Sequence, residues 1–107
     1  MIVTTTEKIP EYEVEKTLGL VIGNIVHSKH LGKDIAAAFK TLAGGEIKSY
    51  TEMMTEARNK ALERMIDEAE KLGADAIIGV RFGSSAVMSG AAEMLAYGTA
   101  VKLKKKD

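Results

Sequence analysis

Apolar residues along this chain follow two rhythms. Several segments alternate apolar with polar residues every second position, as half-buried strands do, and two recur at spacings of three and four, as helices do. Ile2 to Thr6, rich in Val and Thr, predicts a short first strand that Pro10 ends. Tyr12 to Val26 predicts a long second strand. Tyr12, Val14, Leu18, Leu20 and Ile22 share one parity, and Glu13, Glu15 and Thr17 share the other. After Gly19 both parities turn apolar (Leu20, Val21, Ile22, Ile25, Val26), which predicts cover on both faces there. His27 to Lys33 reads as a polar, basic loop. Asp34 then caps a short helix from Ile35 to Ala43, which Gly44-Gly45 ends.

The strongest helical pattern follows. Ser49 and Glu52 have the spacing of a capping box. Tyr50, Met53, Met54, Ala57, Ala61, Met65, Ala69 and Leu72 form one stripe, and Gly73 is placed to stop the helix in the left-handed conformation. Glu56 with Lys60 and Asp67 with Lys71 stand at i,i+4 in the favoured order. Ala74 to Ser84 predicts a third strand, with Ala76, Ile78, Val80 and Phe82 on one face and Asp75, Ile77, Gly79 and Arg81 on the other. Gly83 to Gly90 reads as a flexible connection. Ala91 to Leu103 predicts a last strand, whose Met94, Ala96, Gly98 and Ala100 are mostly small enough to admit a helix or a second sheet at close range. The order ββααββ predicts an α+β fold, a mainly antiparallel sheet with its helices on one face. Strand 1 or strand 4 is the expected edge.

Composition narrows the picture. At 107 residues the chain is one domain, residues 1–107, with no Trp, two Phe and three Tyr. So lean a core in a strand-rich chain favours association with further copies. Fifteen basic residues balance fifteen acidic ones, which leaves no long-range field to attract nucleic acid or an anionic membrane. Lys102, Lys104, Lys105 and Lys106 read as a solvated tail that blunts the last strand. The chain has no cysteine, which removes disulfides, thiolate catalysis, cysteine-type zinc sites and iron–sulfur clusters from its own repertoire. It shows no signal-peptide pattern and no apolar run of about 20 residues, so a cytoplasmic location is expected.

Two groups of residues carry candidate chemistry. His27 and His30 are the only imidazoles. They suit Zn, Cu or Ni, with Asp34 near enough in sequence to assist; a solvated basic loop is the plainer reading. Glu46, Tyr50, Arg58 and Arg81 form the second group. A guanidinium within an apolar strand must find an acceptor or reach water, and Glu46 is a candidate carboxylate partner. Such a pair would set register between helix and sheet or between subunits. Alternatively, Arg81 and Tyr50 would grip a small anionic ligand. Met53, Met54 and Met65 read as core filling rather than soft-metal ligands. Ser84-Ser85 lacks the lysine and helix start of a phosphate loop, and neither histidine has the context of a nucleophile's base.

Three stretches, VTTTEKIPEYEVEKTLGLVIGN, GGEIKSYTEMMTEARNKALERMIDEAEKLGADAIIGVRF and EMLAYGTAVKL, cover most of the chain. Together they resemble the YbjQ-like family of small prokaryotic proteins, described as "putative heavy-metal-binding". The resemblance implies a dodecin-like subunit and a ring-shaped homopentamer, with a divalent or heavy metal ion as the ligand to consider. It implies no reaction. Glu11 stands where the family commonly has Gly, and His27 and His30 stand where Arg and Asn are common. A histidine metal site would therefore not be a family-wide property. The resulting expectation is a non-enzymatic oligomer that binds a metal ion or small ligand. The alternatives are a ring that presents loops to a protein partner and an enzyme with interfacial sites at Glu46 and Arg81.

Overall fold

The structure is a computed structural model that describes residues 1–28, 47–88 and 91–107. The elements run β1 (Ile2–Val3), β2 (Tyr12–Ser28), α1 (Ile47–Lys71), β3 (Ala76–Met88) and β4 (Ala91–Lys105). They form a four-stranded sheet ordered β1-β3-β4-β2 with one helix packed on it. The sheet is mixed: β1 runs parallel to β3, and the β3–β4 and β4–β2 pairs are antiparallel. The first of the two expected helices, at 35–43, lies outside the described residues together with its Asp34 cap and Gly44-Gly45.

The last strand is not an edge. β4 sits between β3 and β2 because it pairs with both along most of its length. Its lysines are correspondingly not a free tail: Lys102 and Lys104 lie within the strand, 3.8 Å from the carboxylates of Asp75 and Glu13 respectively. The expected flexible connection at Gly83–Gly90 is strand as far as Met88. Likewise, β2 carries on through His27 and Ser28, where a loop was expected.

Small residues set how the helix meets the sheet. Ala57, Ala61, Met65 and Ala69 are fully or almost fully buried and recur every four residues, forming one ridge. Under that ridge lie Val21, Met94, Ala96 and Ala100. A methyl group built at Gly23 would overlap the Ala61 carbonyl and the Met65 amide, so helix and strand meet there backbone to backbone. At about 1.5 Å per residue the 25 residues of α1 run for about 37 Å.

Both ends of α1 have definite outcomes. At the C-terminus, Gly73 has φ 75°, its amide donates to the Glu70 carbonyl, and the Ala74 amide donates to the Ala69 carbonyl. These are the two bonds of a Schellman stop. At the N-terminus the helix begins at Ile47, two residues before Ser49, so Ser49 lies inside the helix and not at its cap. Leu72 stays 48% exposed, outside the buried stripe, while Leu62 and Ile66 pack against the core. The expected i,i+4 ion pairs are replaced by i,i+3 pairs, Lys60 with Glu63 and Lys71 with Glu68.

Strict alternation along the strands also fails, for a local reason. Between Ile78 and Arg81 two residues of β3, Gly79 and Val80, face the single Gly98 of β4, and Gly79 has φ 61°. This bulge reverses the parity. Ile77 and Val80 share the helix side, and Arg81, opposite Tyr97, goes to the other face. Of two irregularities in β2, at Val14/Lys16 and Thr17/Gly19, the second takes Leu18, which packs on the core, out of the parity of Leu20 and Ile22, which do not. No described helix is long and apolar enough to cross a membrane.

Candidate functional site

Two surface features stand out on this framework: a groove along β2 and an arginine that ties down the N-terminal segment. The groove lies between the outer edge of β2 and the C-terminal half of α1. Its floor comes from Leu20 to Asn24 and its wall from Arg64, Asp67, Glu68, Lys71 and Leu72, around a volume of about 670 Å³. Gly23 and Ala61 bring helix and strand together beneath it, and the long charged side chains of α1 line its wall. At one end the Arg64 guanidinium donates to the Asn24 carbonyl at 2.7 Å, and the Asn24 amide donates to the Glu93 carboxylate at 3.0 Å. The sequence reading overlooked this Arg64–Asn24–Glu93 chain. Its one local signal was Asn24, a polar residue within the apolar second half of β2.

Arg81 finds its acceptors in the backbone. Its Nη1 donates to the Thr5 carbonyl at 2.9 Å and to the Val80 carbonyl at 2.8 Å. The segment after β1 is thus held against β3, a role supported by the Gly79 and Val80 amides, which donate to the Thr6 and Thr4 carbonyls. The side chain is exposed, and its position follows from the bulge that turned it away from the helix. Glu46, its expected carboxylate partner, lies outside the described residues.

The remaining candidates are spread along the chain. Tyr50 lies in the first turn of α1. Arg58 is exposed and donates to the Thr55 hydroxyl at 3.1 Å, which itself donates to the Thr51 carbonyl. Arg58 and Arg81 therefore serve separate partners. His27 lies in β2, opposite Ala92 of β4, and His30 lies outside the described residues. Among the described residues no three His, Asp or Glu side chains gather as a metal would require.

The sheet face away from α1 is open and carries exposed apolar side chains beside Arg81, Asn24 and Glu93. Leu20, Ile22, Val26 and Tyr97 are 66%, 45%, 44% and 38% exposed, and register places Leu20 opposite Thr99 and Ile22 opposite Tyr97 on that face. The cover expected on both sides of β2 is supplied on one side only within the described protomer.

Comparison with known proteins follows the same outline. A family model described as "Putative heavy-metal-binding" matches residues 1–104. A UPF0145 protein of Thermosipho melanesiensis is 80% identical over 107 residues, covering 100% of this chain and 99% of its own length. One from Thermotoga maritima is 75% identical over 105 residues, covering 98% and 99%. One from Archaeoglobus fulgidus is 60% identical over 104 residues, covering 97% and 96%. Among solved structures, a protein of unknown function from Pediococcus pentosaceus, assigned to the DUF74 family, matches with a TM-score of 0.59 at 15% identity. That match covers 97% of this chain and 98% of the other, and it supports the fold alone.

Proposed function

Because the chain belongs to the YbjQ family, we propose that it works as a non-enzymatic homo-oligomeric ring, of five copies as the resemblance implies, that binds a small ligand or metal ion with groups pooled from neighbouring subunits. The observation that carries this reading is the open sheet face that exposes Leu20, Ile22, Val26 and Tyr97. Exposed large apolar side chains gathered on one sheet face favour an interaction surface there. The protomer's shape supports the same reading. Its radius of gyration is 17.3 Å and its extents are 58 × 23 × 17 Å, whereas a compact domain of this length has a radius near 13 Å.

Pooling would supply the donors that the described residues do not bring together. One described protomer does not fit a heavy-metal site: it assembles no group of three donors, and the chain has no cysteine to supply soft ligands. Copies arranged around a common axis would instead bring equivalent histidines within reach of a shared ion. Native mass spectrometry of protein purified without chelators tests the proposal. The expected result is one assembly of defined subunit number across a hundredfold range of concentration, with its ligand retained. A monomer throughout that range overturns it.

A further inference from the structure

Arg81 is a fixed cation on the helix-free face, and its charge is not compensated there. Both of its hydrogen bonds leave from Nη1 and end on neutral backbone carbonyls, those of Thr5 and Val80. None of the four ion pairs among the described residues includes it. Glu93, a carboxylate on the same face, accepts from Asn24 and stands four residues from Arg81's neighbour Tyr97 along β4, about 13 Å away at strand spacing. Nη2 and Nε meet no acceptor among the described residues. A planar fork with free donors suits a carboxylate or sulfonate.

Register puts an apolar platform beside this charge. Ile22, Tyr97 and Arg81 form one row across β2, β4 and β3, and the first two are open to solvent. Neighbouring strands lie about 4.8 Å apart, so the row is about 10 Å long. The next position of β3 on this face is Gly83, opposite Leu95, where an added Cβ would meet nothing within 4 Å. That leaves a notch beside Arg81 and Leu95.

Resting on the small-ligand reading above, we propose that this row binds an amphipathic organic anion: a planar aromatic acid whose acid group meets Arg81 and whose rings lie over Tyr97 toward Ile22. Charge complementarity and surface chemistry argue together for this occupant. A neutral apolar molecule would leave the guanidinium without an acceptor. An inorganic anion would leave the apolar part of the row in water, and a cation would be repelled. Because the Thr5 and Val80 carbonyls already hold the arginine, little of its rotamer freedom remains to be lost on binding.

Naphthoate and naphthylmethanol of the same isomer share one ring system and differ in charge, so the ratio of their affinities reads the ionic contact. Titration of the parent assembly, followed by naphthalene fluorescence, is expected to show naphthoate bound about tenfold more tightly, the range of a hydrogen bond between charged groups. Arg81→Met is expected to remove the preference and Arg81→Lys to keep part of it. Tyr97→Ala is expected to weaken both probes by the same factor and leave their ratio unchanged. Circular dichroism checks the fold of each variant. The parent supplies a second measurement that needs no substitution: its preference is expected to shrink as salt is raised, because exposed charges are screened.

The absence of saturable naphthoate binding by the parent overturns the proposal. So does equal affinity for the two probes, or a preference that survives Arg81→Met or high salt. Native mass spectrometry on the same samples keeps the two readings apart. An intact oligomer that does not prefer naphthoate overturns the anion site alone. A monomer that keeps the full preference overturns the pooled, oligomeric reading while the site stands.

Discussion

Gly23 on β2 and Ala61 on α1 touch through their backbones, with no side chain between them. No larger residue fits at position 23 unless α1 lifts off the sheet, and lifting it would open the ridge of Ala57, Ala61, Met65 and Ala69. Overpacking at such a point costs about 1–3 kcal/mol. Gly23→Ala is therefore expected to lose stability at the top of that range and Gly23→Val to fail to fold. Chemical denaturation at a fixed protein concentration measures the first. An Ala variant as stable as the parent would show that the helix is free to shift.

Glu11 is a second point where the backbone decides. It has φ 73° and follows Pro10 in a turn closed by the Tyr12 amide donating to the Ile9 carbonyl at 3.2 Å. A positive φ at the third residue of such a turn favours glycine. For other residues the left-handed conformation costs roughly 1–2 kcal/mol, partly offset by glycine's extra freedom in the unfolded chain. Glu11→Gly is thus expected to stabilise the protein by up to about 1 kcal/mol, read as a rise in Tm. The Lys106 amide, which donates to the Glu11 carbonyl at 2.9 Å, keeps its acceptor in the variant.

What the sequence made legible was local. The ridge of α1, its stop at Gly73 and the close approach allowed by Ala96, Gly98 and Ala100 follow from spacing and residue size, and all appear in the fold. The strand faces were misread wherever a bulge intervened. Gly79 and Val80 share one partner, Gly98, and that pairing depends on a strand some twenty residues away, so no alternation within β3 could reveal it. The site was legible to the same limited depth. Arg81 announced itself as a charge in an apolar run, but its acceptor is the Thr5 carbonyl, a backbone group with no signature of its own. Arg64 looked like any solvated helix residue until the fold placed it beside Asn24.

The Arg81 contacts make a prediction that separates anchoring from ligand binding. Its bonds to the Thr5 and Val80 carbonyls hold the segment after β1 along β3. Hydrogen bonds from a charged donor contribute about 1.5–3 kcal/mol each when sheltered, and partial exposure lowers that. Arg81→Met is expected to cost about 1 kcal/mol globally and to speed amide exchange selectively at Thr4, Gly79 and Val80. Hydrogen exchange by mass spectrometry over the peptides covering 1–9 and 76–82 checks this. Unchanged exchange there would leave Arg81 without an anchoring role.

The histidines give the last prediction. β2 carries His27 to within one residue of its end, and His30 follows three residues on. Two imidazoles fall short of the four ligands that a structural zinc site uses. A single chain should therefore bind weakly, and an assembly that gathers equivalent histidines should bind more tightly. Titration calorimetry with Zn²⁺ and Cu²⁺ on the assembled, metal-free protein is expected to show saturable binding at fewer than one ion per chain. His27→Ala/His30→Ala should abolish it, and dilution to monomer should weaken it at least tenfold. Equal heats from the parent and the double histidine variant would rule these residues out as ligands. Equal affinity in the assembled and the diluted, dispersed protein would place the ion within one chain and remove the need for pooled donors.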